Sequence, residues 1–223
     1  MAHVKAIFDG SKRHGRLRTQ WEKAAEADSN EKPISTAKLA LEIWKKIKGT
    51  DWVLVNGSTE GWIRKIWDFT KPGQYLGTSG GGGLGYGIGA SLGAALALKD
   101  TGKLCVSIES DGDLLYASSA LWTAAHHQIP LLTIMFNNRC YYNSAEHVIN
   151  VSNEREREPG TYHIGTRIED PVVDFAAMAR SFGVYADGPI ESPEKIGPAL
   201  ARAIKVVTED KKPALVDIVC RDR

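Results

Sequence analysis

Two short apolar runs with a helical stretch between them form the most regular hydrophobic pattern in the chain. Residues 104–108 and 131–136 are apolar and partly β-branched, as buried strands are, and residues 114–128 have the spacing and length of a helix. A strand of about six residues at about 3.3 Å per residue and a helix of about fourteen at about 1.5 Å both span roughly 20 Å. The pattern therefore predicts a parallel strand–helix–strand unit with a right-handed crossover.

Other segments of the chain continue this alternation. Residues 146–170 interrupt it, because they are charged and poor in strand formers, and they predict a long functional or mobile loop. Alternating strands and helices predict an α/β fold with three layers, α/β/α, around a mostly parallel central sheet. The further helices are predicted at residues 33–49, 60–67, 172–182 and 192–207, and the further strands at residues 52–55, 184–186 and 214–219.

The composition fits one domain of this kind and argues against several classes of partner. The chain has 223 residues, of which 43% are hydrophobic, and this is enough for one sizeable core. Its net charge is +1, so neither nucleic acid nor a membrane surface is an expected partner. Cys105 and Cys220 fall in predicted strands, which favours buried thiols in a reducing compartment. Because no apolar stretch could span a membrane and the start lacks a signal-peptide core, a soluble, cytoplasmic protein is expected.

Oxygen-bearing side chains follow both strands of the central unit. Asp111 follows the first strand, and Asn138 follows the second strand 27 residues further along the chain. Parallel strands end at one edge of the sheet, where open α/β sheets bind ligands, so these two side chains should meet. A carboxylate and an amide oxygen suit Mg²⁺, and Gly112 with the helix starting near Asp113 would suit a diphosphate. Taken alone, the Asp-Gly and Asn-Asn dipeptides are usually turn formers, but their placement at two strand ends, one crossover apart, favours a ligand site.

These motifs resemble those of a known family. Residues 110–113 read Ser-Asp-Gly-Asp, and residues 137–138 are an Asn pair at the spacing that the family shows. The family comprises the thiamine diphosphate enzymes of the acetolactate synthase and benzoylformate decarboxylase type, and the resemblance is to their C-terminal cofactor-binding domain. Residues 119–125 are similar to the decarboxylase branch in particular. Ser110 stands where the family motif has a glycine, and the resemblance runs from about residue 12 to the end.

The resemblance implies roles for the residues at the strand ends. Asp111 and the Asn138 side chain are expected to bind Mg²⁺, with the backbone carbonyl of Cys140 as the third protein ligand. Ser58 and Thr59, which follow an earlier apolar strand, are expected to donate hydrogen bonds to the diphosphate. Capping of the next helix is an equally good role for this pair, and the two roles are compatible.

A glycine-rich run at residues 80–89 lies beside the cofactor if the resemblance holds. Leu84 is then the apolar wedge that bends thiamine diphosphate, and the Gly82 carbonyl accepts a hydrogen bond from its 4′-amino group. Glycines would allow the cofactor ring to lie against bare backbone. The alternative is a dinucleotide fingerprint in a nicotinamide oxidoreductase. That hypothesis is weaker, because the spacing is not G-x-G-x-x-G and no acidic residue about 20 residues later ends a second strand of the expected unit.

Asp113 and two histidines are further candidates around the site. Asp113 is counted among the residues around the cofactor, and it is expected to cap its own helix rather than to bind the metal. His147 is favoured over His163 for proton transfer, because it lies closer to the metal motif in the sequence. A role away from the chemistry stays open for both histidines.

The resemblance also implies a partner. In this family a glutamate from a separate pyrimidine-binding domain activates the cofactor, and nothing in the chain resembles that domain. We therefore expect a cofactor-binding subunit of a split carbon–carbon lyase or carboligase acting on 2-oxo acids, acyloins or 2-hydroxyacyl-CoA compounds, in a heterotetramer or larger assembly. A 2-hydroxyacyl-CoA lyase specifically and a non-catalytic assembly subunit are the alternatives. The starting methionine favours a natural subunit over a piece of a longer chain.

The domain organisation follows from charge and polarity near the start of the chain. Residues 11–27 are charged and prone to form a helix, and residues 28–32 form a polar break. Residues 1–32 are thus expected to be a helical arm, corresponding by resemblance to the tether between domains in longer family members. Residues 33–223 are expected to form the cofactor-binding domain.

Overall fold

A five-stranded parallel sheet runs through the part of the chain that the structure describes. This structure is a computed structural model describing residues 2–27, 31–58, 60–77 and 83–222, with side chains from residue 13 onward except that of residue 60. The helices are α1 (Ala2–Ala27), α2 (Thr36–Ile47), α3 (Glu60–Ile66), α4 (Tyr86–Leu98), α5 (Asp111–Tyr116), α6 (Ala120–His126), α7 (Tyr142–Glu154), α8 (Phe175–Ser181) and α9 (Pro193–Thr208). The strands are β1 (Trp52–Gly57), β2 (Leu104–Ser110), β3 (Leu132–Asn137), β4 (Tyr185–Ile190) and β5 (Ala214–Val219).

The order of the strands brings the predicted functional residues to one edge of the sheet. The order is β1-β2-β3-β5-β4, and every neighbouring pair is parallel. In the β2–β3 pair, Val106 lies opposite Leu132 and Ser110 opposite Phe136, so the two strands end at the same level. The predicted parallel pairing of these two strands is confirmed.

Apolar side chains cover both faces of the sheet. On one face, Leu54 and Ile134 belong to a buried cluster that includes residues of α2, α3 and α9. On the other face, Val55 and Met135 belong to a cluster that includes residues of α4, α6 and α8. Successive side chains of a strand point to opposite faces, so each strand serves both clusters. Every strand except the edge strand β4 is buried nearly throughout. The predicted three-layer α/β/α fold is confirmed.

The predicted helix between β2 and β3 is wrong in detail, because the structure divides it into two short helices. The chain leaves α5 at Ala117, whose φ and ψ are −139° and 33°, and re-enters a helix after Ser119. Serine hydroxyls compete for backbone hydrogen bonds and favour helix ends over helix interiors. Leu114, Leu121 and Ala124 are all buried, so the helical spacing of apolar residues continues across the break.

The predicted loop at residues 146–170 is wrong over its first part, where α7 continues to Glu154. Only Ala145 of this helix is buried, and its other residues are partly or fully exposed. A helix that buries so little has almost no apolar stripe, so its sequence looks like a charged loop. Beyond α7, residues 166–168 return to pair with the segment that follows β3.

The C-terminal half of α1 contacts the domain. Arg18 donates hydrogen bonds to the Asp68 carboxylate and to the Ile66 carbonyl, and Ala25 is fully buried in the cluster with α2 and α3. Part of the predicted polar break, residues 28–30, lies outside the described residues. The division into an arm and a domain therefore stays a prediction.

The cysteines of the chain are core residues without disulfide bonds. Cys105, Cys140 and Cys220 are free and buried. Burial raises the pKa of the Cys105 thiol to about 11, so this cysteine is a neutral core residue. Within the described ranges, no helix combines the length and the apolar character needed to cross a lipid bilayer.

Candidate functional site

A cavity of about 310 Å³ lies at the carboxyl ends of β1, β2 and β3. The edge of a parallel sheet where the strands end is the usual ligand site of open α/β folds. The predicted site residues that the cavity brings together are up to 140 − 58 = 82 positions apart in the sequence. The predicted site residues in its walls are Ser58, Leu84, Asp111, Gly112, Asp113, Asn138 and Cys140.

Asp111 is buried at the end of β2, with only 1% of its surface exposed. Its Oδ1 accepts a hydrogen bond from the Gly112 amide at 2.7 Å, and its Oδ2 accepts one from the Cys140 amide at 3.2 Å. Burial raises the pKa of this carboxyl to about 6, although the backbone amides around it act in the opposite direction. A nearby cation would favour the ionised form, so the carboxylate is well suited to hold one.

Asn138 lies at the end of β3 and is 7% exposed. Its Nδ2 donates a hydrogen bond to Oδ1 of Asp222 at 3.0 Å. Because this bond uses the nitrogen of the amide, the Oδ1 atom is the one that can serve a cation. The predicted pair of oxygen ligands, Asp111 and Asn138, is thus present in one cavity.

The backbone turns sharply directly after Asn138. Arg139 adopts a φ of 56°, in the left-handed region that non-glycine residues rarely occupy. Residues 139–141 are held by backbone hydrogen bonds to residues 166–168. The Tyr141 amide donates to the Thr166 carbonyl, and the Ile168 amide donates to the Arg139 carbonyl, both at 2.8 Å. A backbone conformation that is costly and well held is common at ligand sites. The role of the Cys140 carbonyl as a metal ligand stays a prediction.

Gly112 has a packing role that the sequence did not suggest. A Cβ atom at this position would overlap the aromatic ring of Tyr141. The sequence suggested that a glycine here lets a phosphate approach the backbone. In the structure, the Tyr141 ring occupies the space where a Cβ atom would lie. Contact between the Gly112 amide and a diphosphate stays a prediction, and this amide already donates to Asp111.

Asp113 caps a helix, but not its own helix as the sequence suggested. Its Oδ1 accepts from the Gly85 amide at 2.5 Å, and its Oδ2 accepts from the Gly87 amide at 3.1 Å. Gly85 precedes α4 and has a φ of 84°, so its conformation favours glycine. Asp113 therefore fixes the start of α4 and the turn that carries Leu84, a role that depends on a contact distant in sequence.

Glu109 is a residue of the site region that the sequence analysis missed. It is fully buried near the end of β2, and its Oε2 accepts from Asn56 Nδ2 at 2.9 Å. Burial raises its pKa well above the usual range, and the nearby Asp113 carboxyl raises it further. An acidic residue inside an otherwise apolar strand, two positions before the metal motif, was the available signal.

Other predicted residues lie at the rim of the cavity or outside the described chain. Leu84 is 54% exposed in the cavity wall. Ser58 follows β1, and its amide donates to the Ile108 carbonyl at 3.1 Å. Thr59 and Gly82 fall outside the described residues. The assignments of all four to the cofactor stay predictions.

The two candidate histidines lie away from the cavity walls. His147 is exposed on α7, one turn beyond Ser144, which does line the cavity. His163 is exposed in the segment after α7, where its ring lies against that of Tyr162. The catalytic role of His147 remains a prediction.

The donor set fits Mg²⁺ better than zinc. In the parts of the chain with known structure, no three His, Cys, Asp or Glu side chains group so that they could hold a metal ion. Zinc and related ions favour such groups of nitrogen and sulfur ligands. Magnesium needs only one or two protein oxygens when phosphates and water complete its octahedron. One buried carboxylate and one oriented amide meet that need.

Comparisons with known proteins identify the family of this domain. The family model described as thiamine pyrophosphate enzyme, C-terminal TPP binding domain, matches residues 56–218, which is more than half of the chain. A "Probable acetolactate synthase large subunit" of Methanocaldococcus jannaschii is 30% identical over 199 residues, covering 86% of this chain and 31% of the relative. The benzoylformate decarboxylase of Pseudomonas aeruginosa is 29% identical over 171 residues, covering 75% of this chain and 29% of the relative.

Solved structures give the same result for the fold. The thiamine diphosphate-dependent 4-hydroxybenzoylformate decarboxylase of Rhodococcus jostii superimposes with a TM-score of 0.67 at 26% identity. The match covers 86% of this chain and 33% of that one. Overall, the chain spans about a quarter to a third of the length of the curated relatives it matches.

Proposed function

The chain belongs to the thiamine pyrophosphate enzymes, through their C-terminal TPP binding domain, and on this premise we propose that it holds thiamine diphosphate and Mg²⁺ for a carbon–carbon lyase or carboligase. The observation that carries the proposal is that Asp111 and Asn138 meet in one cavity at the ends of β2 and β3. The domain match supports the cofactor. The oxygen-only donor set supports the cation, because Mg²⁺ is a hard ion.

Different residues of the cavity would contact the metal ion, the diphosphate and the ring system of the cofactor. Asp111 would supply a charged oxygen and Asn138 a neutral oxygen to Mg²⁺, with the Cys140 carbonyl as the third protein ligand. Ser58 lines the same cavity and is a candidate donor to the diphosphate. Leu84, at the rim, is the candidate wedge under the cofactor. Bound thiamine diphosphate would supply a carbon nucleophile and an electron sink for bond cleavage or formation next to a carbonyl.

We propose that a second polypeptide completes the active site. The chain matches only the C-terminal domain of the family, and the resemblance implies that the activating glutamate comes from a pyrimidine-binding domain. Exposed apolar side chains near the cavity, Leu84, Tyr86 and Tyr116, would be covered by such a partner. The expected complex of the two polypeptides is a heterotetramer or a larger assembly. We place it in the cytoplasm, where the free buried cysteines would stay reduced.

The substrate class has one specific alternative within the proposed chemistry. Named relatives include an acetolactate synthase subunit and a benzoylformate decarboxylase, which supports 2-oxo acids or acyloins. A 2-hydroxyacyl-CoA compound is the alternative, with Arg139, Arg155 and Arg157 as candidate contacts for coenzyme A phosphates. Arg139 already pairs with Glu191 at 3.3 Å, whereas Arg155 and Arg157 are exposed just after α7.

A non-catalytic assembly subunit is the alternative outside enzyme chemistry. Ser110 and Asp113 favour this alternative, because they depart from an ordinary cofactor motif. The contacts of Asp113 weaken this alternative, because the carboxylate holds the backbone of Gly85 and Gly87 and so has a structural use. The nicotinamide hypothesis has no support beyond the glycine run.

Calorimetric titration of thiamine diphosphate into the purified chain tests the proposal. Wild-type protein should bind the cofactor in millimolar Mg²⁺ and lose binding in excess EDTA. Asp111→Ala should weaken Mg²⁺-dependent binding by more than about 100-fold, because it removes the charged ligand. Asp210→Ala, an exposed carboxylate after α9, is the matched control and should bind as wild type does. Equal binding with EDTA, or unchanged binding by Asp111→Ala, would refute the assignment.

A further inference from the structure

We propose that Asp222, held by Arg167, positions the Asn138 amide so that its oxygen and not its nitrogen is presented to the cation. The inference rests on the proposed Mg²⁺ site and adds a positioning residue to it. Asp222 carries no role in the sequence motifs of the site, since it lies 222 − 138 = 84 residues beyond Asn138 and follows the last strand.

The chemistry of the contact fixes the orientation of the amide. Asn138 Nδ2 lies 3.0 Å from Asp222 Oδ1. An ionised carboxylate can only accept hydrogen bonds, so the amide atom that faces it must be the NH₂ group. The carbonyl oxygen then points away from Asp222. With no hydrogen-bond acceptor at position 222, both orientations of the Asn138 amide would become accessible.

Asp222 is itself held in place by Arg167. The Arg167 Nη2 lies 3.5 Å from Asp222 Oδ2, so the two oxygens of the carboxylate have separate partners. Arg167 sits opposite Cys140 in an antiparallel bridge, and the adjacent Ile168 amide donates to the Arg139 carbonyl. The backbone pairing that holds the predicted metal loop therefore also places the arginine.

The backbone of the C-terminal tail brings Asp222 to this position. The Cys220 amide donates to the Asn137 carbonyl at 2.8 Å, and the Arg221 amide donates to the Ile34 carbonyl at 3.0 Å. Arg221 also forms an ion pair with Glu31. The backbone directly before Asp222 is thus held by hydrogen bonds to two different segments of the domain.

The expected effect is on metal affinity more than on folding. Both Asp222 and Arg167 are about one-third exposed, and ion pairs of this kind contribute little to stability. Groups that orient a metal ligand nevertheless change metal affinity by about 10- to 100-fold when removed. A misoriented Asn138 would present N–H groups to Mg²⁺, which requires oxygen ligands.

The test compares Mg²⁺ dissociation constants at a fixed, saturating concentration of thiamine diphosphate. Asp222→Ala should bind Mg²⁺ about 10- to 100-fold more weakly than wild type. Asp222→Asn should stay within about threefold, because its side-chain oxygen can still accept from Asn138. Glu191→Ala, which removes the carboxylate paired with the neighbouring Arg139, is the matched control and should be unchanged. Melting temperatures measured without Mg²⁺ should be similar for all variants.

Three results would overturn the inference. These are wild-type affinity in Asp222→Ala, an equal loss in Asp222→Ala and Asp222→Asn, or an equal loss in Glu191→Ala. If Asp222→Ala does not fold, Arg167→Met becomes the deciding variant, and wild-type Mg²⁺ affinity in it would reject the proposal. Failure of the proposed function is distinguishable, because wild-type protein would then show no Mg²⁺-dependent cofactor binding at all.

Discussion

At the scale of single residues, buried or half-buried carboxyl groups near strand ends organise the region around the cavity. Asp111 faces the backbone amides of Gly112 and Cys140, and Asp113 takes the amides that begin α4. A third group, Asp217 in β5, accepts from Asn137 Nδ2 at 3.0 Å. Each carboxyl is used to hold backbone or an amide side chain, so the positions of the predicted metal ligands depend on buried polar contacts.

Asp217 makes the stability of the fold depend on pH. Burial raises its pKa from an ordinary 3.8 to about 6, with Asn137 acting in the opposite direction. A raised carboxyl pKa stabilises the folded state fully below about pH 3.8, and this contribution is lost as the pH rises through about 6. The loss amounts to roughly 3 kcal/mol at most.

Asp217→Asn should remove this dependence, because the amide does not titrate. The unfolding free energy of wild type minus that of the variant should fall by roughly 2 to 3 kcal/mol between pH 4 and pH 7. Urea unfolding at a series of pH values, without Mg²⁺, measures the difference. A difference that stays constant over this range would contradict the assigned pKa.

At the scale of elements, the glycines of α4 separate into two kinds. A Cβ atom at Gly87 would come within 2.5 Å of Asp113 Oδ2 and 2.6 Å of Glu109 Oε1. Both side chains are held through their other oxygens, which accept from Gly85 and Asn56. A Cβ atom at Gly89 or Gly93 would meet nothing within 4 Å. The same helix therefore carries one glycine required by close packing and two that face open space.

Alanine substitutions in α4 test this difference directly. Gly87→Ala should lower the unfolding free energy by about 1 to 3 kcal/mol, since buried carboxyls would have to move. Gly89→Ala should leave it unchanged or raise it by up to about 1 kcal/mol, because alanine favours a helix. Denaturant unfolding of the two variants provides the comparison. Equal effects of both substitutions would show that the packing around Gly87 is not tight.

The elements also show what the sequence could and could not predict. Apolar runs predicted β2 and β3 and their parallel pairing, since buried strands have a strong local signal. The break between α5 and α6 was missed because Leu114 and Leu121 stay buried on both sides of it. The capping of α4 by Asp113 and the contact of Asp222 with Asn138 join distant parts of the chain, and no local pattern encodes them.

At the scale of the whole molecule, an α/β/α domain carries the candidate site at one edge of its sheet and spans about a quarter to a third of the length of the curated relatives it matches. Both faces of the sheet are covered by buried clusters, so the fold has its own core. The cavity edge, by contrast, carries exposed apolar groups such as Leu84, Tyr86 and Tyr116. This contrast supports the proposal that another polypeptide covers the cavity edge.

Native mass spectrometry of the protein purified from its own host tests the proposed assembly. We expect a complex that contains this chain, a second polypeptide and thiamine diphosphate, with activity on a 2-oxo acid or a related compound only when both polypeptides are present. The physical reason is that, under the proposal, the second polypeptide supplies the activating carboxylate. Full activity of this chain alone would contradict the split-subunit proposal.

The central claim is that Asp111 and Asn138 together hold a divalent cation at the ends of β2 and β3. A crystal structure of the native assembly grown with thiamine diphosphate and Mn²⁺, a substitute for Mg²⁺ with an anomalous signal, tests it most directly. We predict an anomalous peak within about 2.3 Å of an Asp111 carboxylate oxygen and of Asn138 Oδ1. A peak elsewhere in the chain, or cofactor density in this cavity without any peak, would contradict the claim.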